Sequence, residues 1–257
     1  GIFTMGGVAR CSIENEDLLY KLFGVNAELL IDHAWGFESC TIRDIKAYRP
    51  ETNSLSSGQV LHCPYDYEKA KLIVREMTDL LVLDLVDKGL VTDQIVLTVG
   101  YDMENLLDPQ RRKEYKGAVT TDHYGRAIPK HAHGTANLTC HMASTSRIVK
   151  ETMALFDRIV DPQLLVRRLN VTACHVLPES MAKRVEEPQQ LDLFTDLDAL
   201  DRQRRQEEEE LERERRRQKA ILTIQKKYGK NALLKGMNLE EGATTRDRNA
   251  QIGGHKA

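Results

Sequence analysis

The chain has 257 residues, 41% hydrophobic and 30% charged, so a core can form but not along the whole length. The formal net charge of −2 excludes a general attraction to nucleic acid, and any basic surface has to be local. No apolar run is long enough to span a bilayer, and no signal peptide opens the chain. Cys11, Cys40, Cys63, Cys140 and Cys174 are scattered without CxxC spacing. That pattern suits reduced thiols and a cytoplasmic location better than a disulfide framework. The opening Gly1-Ile2-Phe3, in place of a Met, reads as a fragment or a trimmed chain.

Residues 1–36 are expected to be helical. Thr4 caps a short helix through Cys11, and Asn15 caps a second, with Leu18, Leu19, Leu22 and Phe23 at helical spacing and Gly24 as its stop. Asn26 caps a third, ended by Gly36. Helix starts of this kind can hold a phosphate; the plainer reading is a small bundle with no ligand. Residues 37–55, with Pro50 and a polar run, read as a linker.

From residue 56 the periodicity alternates. Ser57 to His62 reads as a strand, and Tyr67 to Lys88 as an amphipathic helix stopped by Gly89. Gln94 to Tyr101 is a strand. Lys116 to Thr121 and Arg126 to His131 flank Tyr124-Gly125 as a hairpin, and Gly134 to Cys140 is a further strand. Ser144 or Thr145 caps a helix carrying Ile148, Leu155 and Phe156. Leu164 to Val176 then closes the set, with Leu169, Val171 and Ala173 on one face and Arg168, Asn170 and Thr172 on the other. The fold class is α+β. A small helical unit precedes a β-α-β-β-α-β domain over residues 56–177, whose four-stranded antiparallel sheet carries both helices on one face. Residues 178–257 read as a tail with a charged helix over 201–219, poorly ordered by itself after Gly229.

One sheet face is left open. It carries Gln94, Thr98, Thr135, Asn137, Thr139, Arg168, Asn170 and Thr172. Hydroxyls, amides and a guanidinium suit phosphates and sugars of a duplex and carry little base-reading capacity. An ordinary solvated face is the alternative, and its weakness is the near absence of acids there in a chain with 39 Asp and Glu. Past the domain, Gln190-Leu191-Asp192-Leu193-Phe194 presents two adjacent apolar side chains outside any obvious core, a peptide-in-pocket signal. The competing reading packs Leu193, Leu197 and Leu200 onto the sheet domain. His131, His133, Cys140 and His141 lie close in sequence, but Cys140 and His141 alternate in direction, so no metal site is assigned. Asp79, Asp84 and Asp87 read as a solvated helix face.

These motifs resemble, in order, the thumb and little-finger regions of Y-family DNA polymerases of the UmuC/DinB type. Gly1 to Ala9 is similar to the end of their helix–hairpin–helix thumb motif, although Gly7 replaces a usual Asp. Leu22-Phe23-Gly24 and Ala34-Trp35-Gly36 are similar to later thumb signatures. Ser57 to Leu61 resembles the first little-finger strand. Val166 to Val171 resembles the last, with Arg168 and Asn170 in place of the more usual Leu and Gly. Gln190 to Phe194 resembles the pentapeptide that binds the bacterial β sliding clamp, and Ile221 to Ala257 resembles UmuC-like C-termini. The resemblance implies the DNA-binding part of a translesion polymerase that acts on damaged or primed duplex DNA in an SOS-type repair response. It adds the amides of Gly6 and Gly7, and Arg167, to the DNA contacts. It also implies upstream palm and fingers domains of the same protein, the clamp and a UmuD-like protein as partners, and Mg²⁺ for the full polymerase. No cofactor and no catalytic residue are assigned to this chain, which has no Asp-Glu dipeptide and is expected to be inactive alone. A non-catalytic adaptor for the clamp or DNA, and a ferredoxin-like module that binds only protein, are the alternatives.

Overall fold

The computed structural model describes residues 1–48, 53–122, 124–182, 197–252 and 255–256. Contacts divide the chain into two units, residues 1–52 and 53–257.

The first unit holds α1 (Met5–Glu14), α2 (Glu16–Phe23), α3 (Asn26–Ala34) and α4 (Ile42–Ala47). Thr4 caps α1 by accepting from the Gly7 amide, as expected. Asn26 does not cap α3; it is the first helical residue, and Val25 precedes it. Helix α4 falls inside the stretch read as a linker, where Thr41 and Asp44 form a reciprocal capping box that nucleates a turn without any apolar stripe. Among the described apolar side chains of this unit, Ala9, Leu19 and Ala27 are buried, while Phe3, Leu22, Trp35 and Phe37 are exposed.

The second unit is built on the sheet. Its strands are β1 (Leu55–Tyr65), β2 (Leu90–Tyr101), β3 (Val119–Thr121), β4 (Ala127–Pro129), β5 (Ala132–Met142), β6 (Val166–Cys174) and β7 (Leu177–Pro178). The main sheet is antiparallel in the order β1-β6-β2-β5, with β7 on the end of β2. The last long strand in sequence is therefore central, because each crossover helix carries the chain across the sheet. Helices α5 (Tyr67–Lys88) and α8 (Thr145–Ile159) cover one face, and α6 (Glu104–Leu107) and α7 (Pro109–Glu114) fill the connection before β3.

Helix α5 starts where the Asp66 side chain accepts from the Lys69 amide and stops at Gly89, left-handed at φ +66°. Its Ile73, Val74, Met77, Leu81 and Leu85 are fully or nearly fully buried with Ile95, Leu97, Val99, Leu169 and Val171 of the sheet. Ser144 caps α8, which adds Ile148, Leu155 and Phe156. The Tyr67 ring leans on Phe156 at 5.0 Å between centroids, and its hydroxyl donates to Asp157 Oδ1 at 2.6 Å. Burial, and then this bond, push the Tyr67 phenol up to about 12. An unfolded tyrosine releases its proton near 10, so the folded form holds a proton that the unfolded form gives up, and stability falls as pH rises between about 10 and 12. Urea unfolding over that window should show the advantage of the wild type over Tyr67→Phe shrinking. A difference that stays constant would show that the phenol is not held in this way.

The tail does not behave as an appendage. Helix α9 (Leu197–Tyr228) extends further at both ends than residues 201–219. Its Glu214 accepts from the Ser146 amide at 2.7 Å and from Ser144 Oγ at 2.7 Å, so it completes the cap of α8. Gln218 donates to the Ala143 carbonyl at 2.9 Å and to Thr145 Oγ1 at 2.8 Å. Beyond Gly229 the chain is ordered onto α5. Lys235 pairs with Asp79, and Glu76, 1% exposed, accepts from Asn238 Nδ2 at 2.7 Å and from the Thr244 amide at 2.8 Å. The segment ends in α10 (Thr245–Asn249) and the short pair β8 (Gln251–Ile252) and β9 (His255–Lys256). Asp79 is thus not on a solvated face: at 5% exposure it lies under this returning segment.

Candidate nucleic-acid interface

The register fixes which side chains share the uncovered face. One row across the sheet is Gly58, Asn170, Thr98 and His133, and the next is Ser56, Thr172, Val96 and Thr135. On one side of these rows lie Val60, Arg168 and Gly100, and on the other Cys174, Gln94 and Asn137. Of the expected residues, Gln94, Thr98, Thr135, Asn137, Arg168, Asn170 and Thr172 come together. Thr139 is exposed but lies where β5 loses register between Asn137 and Met142.

Arg167, also expected among the DNA contacts, lies outside these paired rows. The pairing shifts between Gly100/Arg168 and Tyr101/Val166, which makes Arg167 the extra residue of a bulge. Its guanidinium stands 3.7 Å from the buried Asp102 carboxylate instead of joining Arg168 on the face. Buried Asn105 anchors that corner, donating to the carbonyls of Asp102 and Leu165 and accepting from the Leu165 amide.

Cross-strand hydrogen bonds knit the face. Ser56 donates to Asn170 Oδ1 at 2.8 Å and lies 3.0 Å from Thr172 Oγ1. Gln94 donates to Asn137 Oδ1 at 2.9 Å, and Thr98 Oγ1 meets His133 Nδ1 at 2.9 Å. No Asp or Glu occurs in these rows. The Asp93 carboxylate, next to Gln94, is engaged by His175 at 2.8 Å. Burial, and then Asp93, push the Cys174 thiol up, which keeps it protonated and neutral. Arg168 is exposed and forms no ion pair among the described residues. The result is a surface of pre-ordered amides and hydroxyls that also carries the Arg168 guanidinium, a composition matched to phosphodiester oxygens.

Sequence reasoning passed over His133, Ser56, Gly58 and Gly100. For His133 the signal is its place two residues before Thr135, on the same face of the strand. In the other unit, Gly6 is exposed at the start of α1, whereas the Gly7 amide already donates to Thr4. The Gln190 to Phe194 motif lies outside the described residues.

Asp84 pairs with Lys88 at 2.8 Å and Asp87 pairs with Lys226. Among the described residues, no group of three or more His, Cys, Asp or Glu is placed to hold a metal ion. Among them, too, no helix is long and apolar enough to cross a membrane. The described cysteines are all free thiols.

A family model described as the impB/mucB/samB family C-terminal domain matches residues 53–193. Comparison with curated proteins gives no match.

Proposed function

Because this chain belongs to the impB/mucB/samB family of Y-family polymerases, through its C-terminal domain, we propose that it holds DNA and tethers a translesion polymerase to the sliding clamp. Its setting is DNA damage tolerance of the SOS type. The observation that carries the reading is the uncovered sheet face, with four strands of hydroxyls and amides, Arg168, and no carboxylate. The face lies along the backbone of a primed or damaged duplex, and the first unit adds a backbone contact at Gly6. Gln190 to Phe194 occupies the clamp pocket. Tethering raises the effective concentration of a weakly bound polymerase at a primer end without adding DNA contacts. Palm and fingers domains upstream in the same protein supply the Mg²⁺-dependent nucleotide transfer, and a UmuD-like protein is a further partner.

Binding of primed duplex is expected to be weak, nearly indifferent to base sequence and steep in salt. Arg168→Ala should weaken binding to all sequences alike and flatten the salt slope by about one counterion. Fluorescence anisotropy across a salt series on two unrelated duplexes measures both. A loss confined to one duplex would mean that the face reads bases, and no binding of either would remove the reading.

A further inference from the structure

We propose that the notch over Gly100 is a phosphodiester seat, walled by Arg168 on β6, by His133 on β5 and by His131 just before β5. The proposal rests on the reading of the sheet face as a DNA surface and adds a specific subsite with its own charge control.

Gly100 is paired with Arg168. A Cβ on Gly100 would stand 3.2 Å from Arg168 Cβ, so glycine is what keeps the floor low at this point. On the other side of β2 the last registered pair is Val99 with Ala132. The pairing stops there, and the next residues on the two sides are Gly100, the penultimate residue of β2, and His131, just before β5. The His131 and His133 rings stand edge to face at 6.5 Å, and the contact of His133 with Thr98 fixes the pair on the uncovered side. When the Thr98 hydroxyl donates to Nδ1, the ring proton of His133 sits on Nε2 and can be donated to an anion. Neighbouring strands lie about 4.8 Å apart, so side chains two strands apart, with a bare position between them, span a gap of phosphate width.

The charged groups around the notch leave it cationic. From β6, Arg168 is exposed without an ion-pair partner among the described residues, and Arg167 is spent on Asp102. From the β3–β4 hairpin, Arg126 is neutralised by Asp122 at 2.6 Å. Lys130, just before β5, is exposed. From α8, Arg158 reaches the Thr135 carbonyl at 3.0 Å. Of the carboxylates at this end, Asp102 and Asp122 are engaged by arginines, and α6, which packs on β4, adds the exposed Glu104. Imidazole is the side chain that gains positive charge on passing from about pH 8 to about pH 6. A phosphodiester in the seat favours that charge, and by linkage the charge favours the phosphodiester.

The test uses the full chain and a labelled primed duplex at constant ionic strength. Wild type should bind about fivefold more tightly near pH 6 than near pH 8, with a steeper salt slope at the lower pH. H131Q/H133Q should lose that gain while its circular dichroism melt stays in place. H131K/H133K, with fixed charge, should bind tightly at both pH values and gives the readout should the glutamine pair unfold. R168A should bind more weakly at both and keep the gain. Inorganic phosphate at matched ionic strength should leave the duplex bound; displacement at low concentration would make the notch a site for free phosphate and overturn the assignment. A glutamine pair that keeps the full gain would overturn the seat and leave the sheet-face reading standing. Absence of duplex binding by the wild type would overturn both.

Discussion

Glu76→Ala is expected to lower the free energy of unfolding by roughly 3 kcal/mol and to free the chain after Gly229 from α5. The carboxylate is 1% exposed, and its oxygens accept from Asn238 Nδ2, the Thr244 amide and, at 3.3 Å, the Thr245 amide. Removing it leaves buried donors without an acceptor, and desolvated unpaired donors are what make such a change expensive. Neighbouring links would be strained as well, since Gln59 donates to Thr244 Oγ1 at 3.0 Å and Lys69 pairs with Glu241 at 2.6 Å. Chemical denaturation gives the stability change, and hydrogen exchange at the Thr244 and Thr245 amides reports the release. A loss below about 1 kcal/mol with those amides still protected would show that the segment is held elsewhere.

Changing Leu193 and Phe194 together to Ala is expected to abolish clamp binding while leaving the melting temperature and DNA affinity nearly unchanged. Each such side chain gains about 1.5–3 kcal/mol when buried, and ordering a pentapeptide offsets part of that, which leaves a roughly micromolar interaction for the motif alone. Surface plasmon resonance on immobilised clamp is the measurement. A marked drop in melting temperature would instead make the two residues part of the fold, and a double variant that still binds the clamp would place the tether elsewhere.

The sheet was legible because its inward residues are apolar at period two and its helices carry a stripe bounded by clear signals. For α5, Asp66 and Gly89 mark the ends to the residue. Period two also identifies most of the uncovered face, and it breaks down where the backbone breaks it, in the lost register beyond Asn137. Helices α4 and α7 escaped notice since each is six residues long with no buried residue. The docking of the C-terminal stretch was hidden for a different reason. Its anchors, Glu76, Asp79, Glu214, Gln218 and Asn238, are polar, and a buried polar pairing leaves no hydrophobic periodicity to read. Asp79 seemed solvated because its partner, Lys235, lies far along the chain.

The cap that Glu214 supplies to α8 also has a meaning in time. A chain made from its N-terminus can pair the four long strands of the main sheet once Cys174 has emerged, yet the Ser146 amide at the start of α8 waits for a carboxylate synthesised 68 residues later. The outer side of α5 waits longer still, until Thr244 and Thr245 can reach Glu76. On a ribosome the domain would therefore pass through a stage with its sheet paired and its helical layer unsealed, and residues 197–249 would act as the closing step of folding. A fragment cut where the family match ends, at residue 193, would be held at that stage.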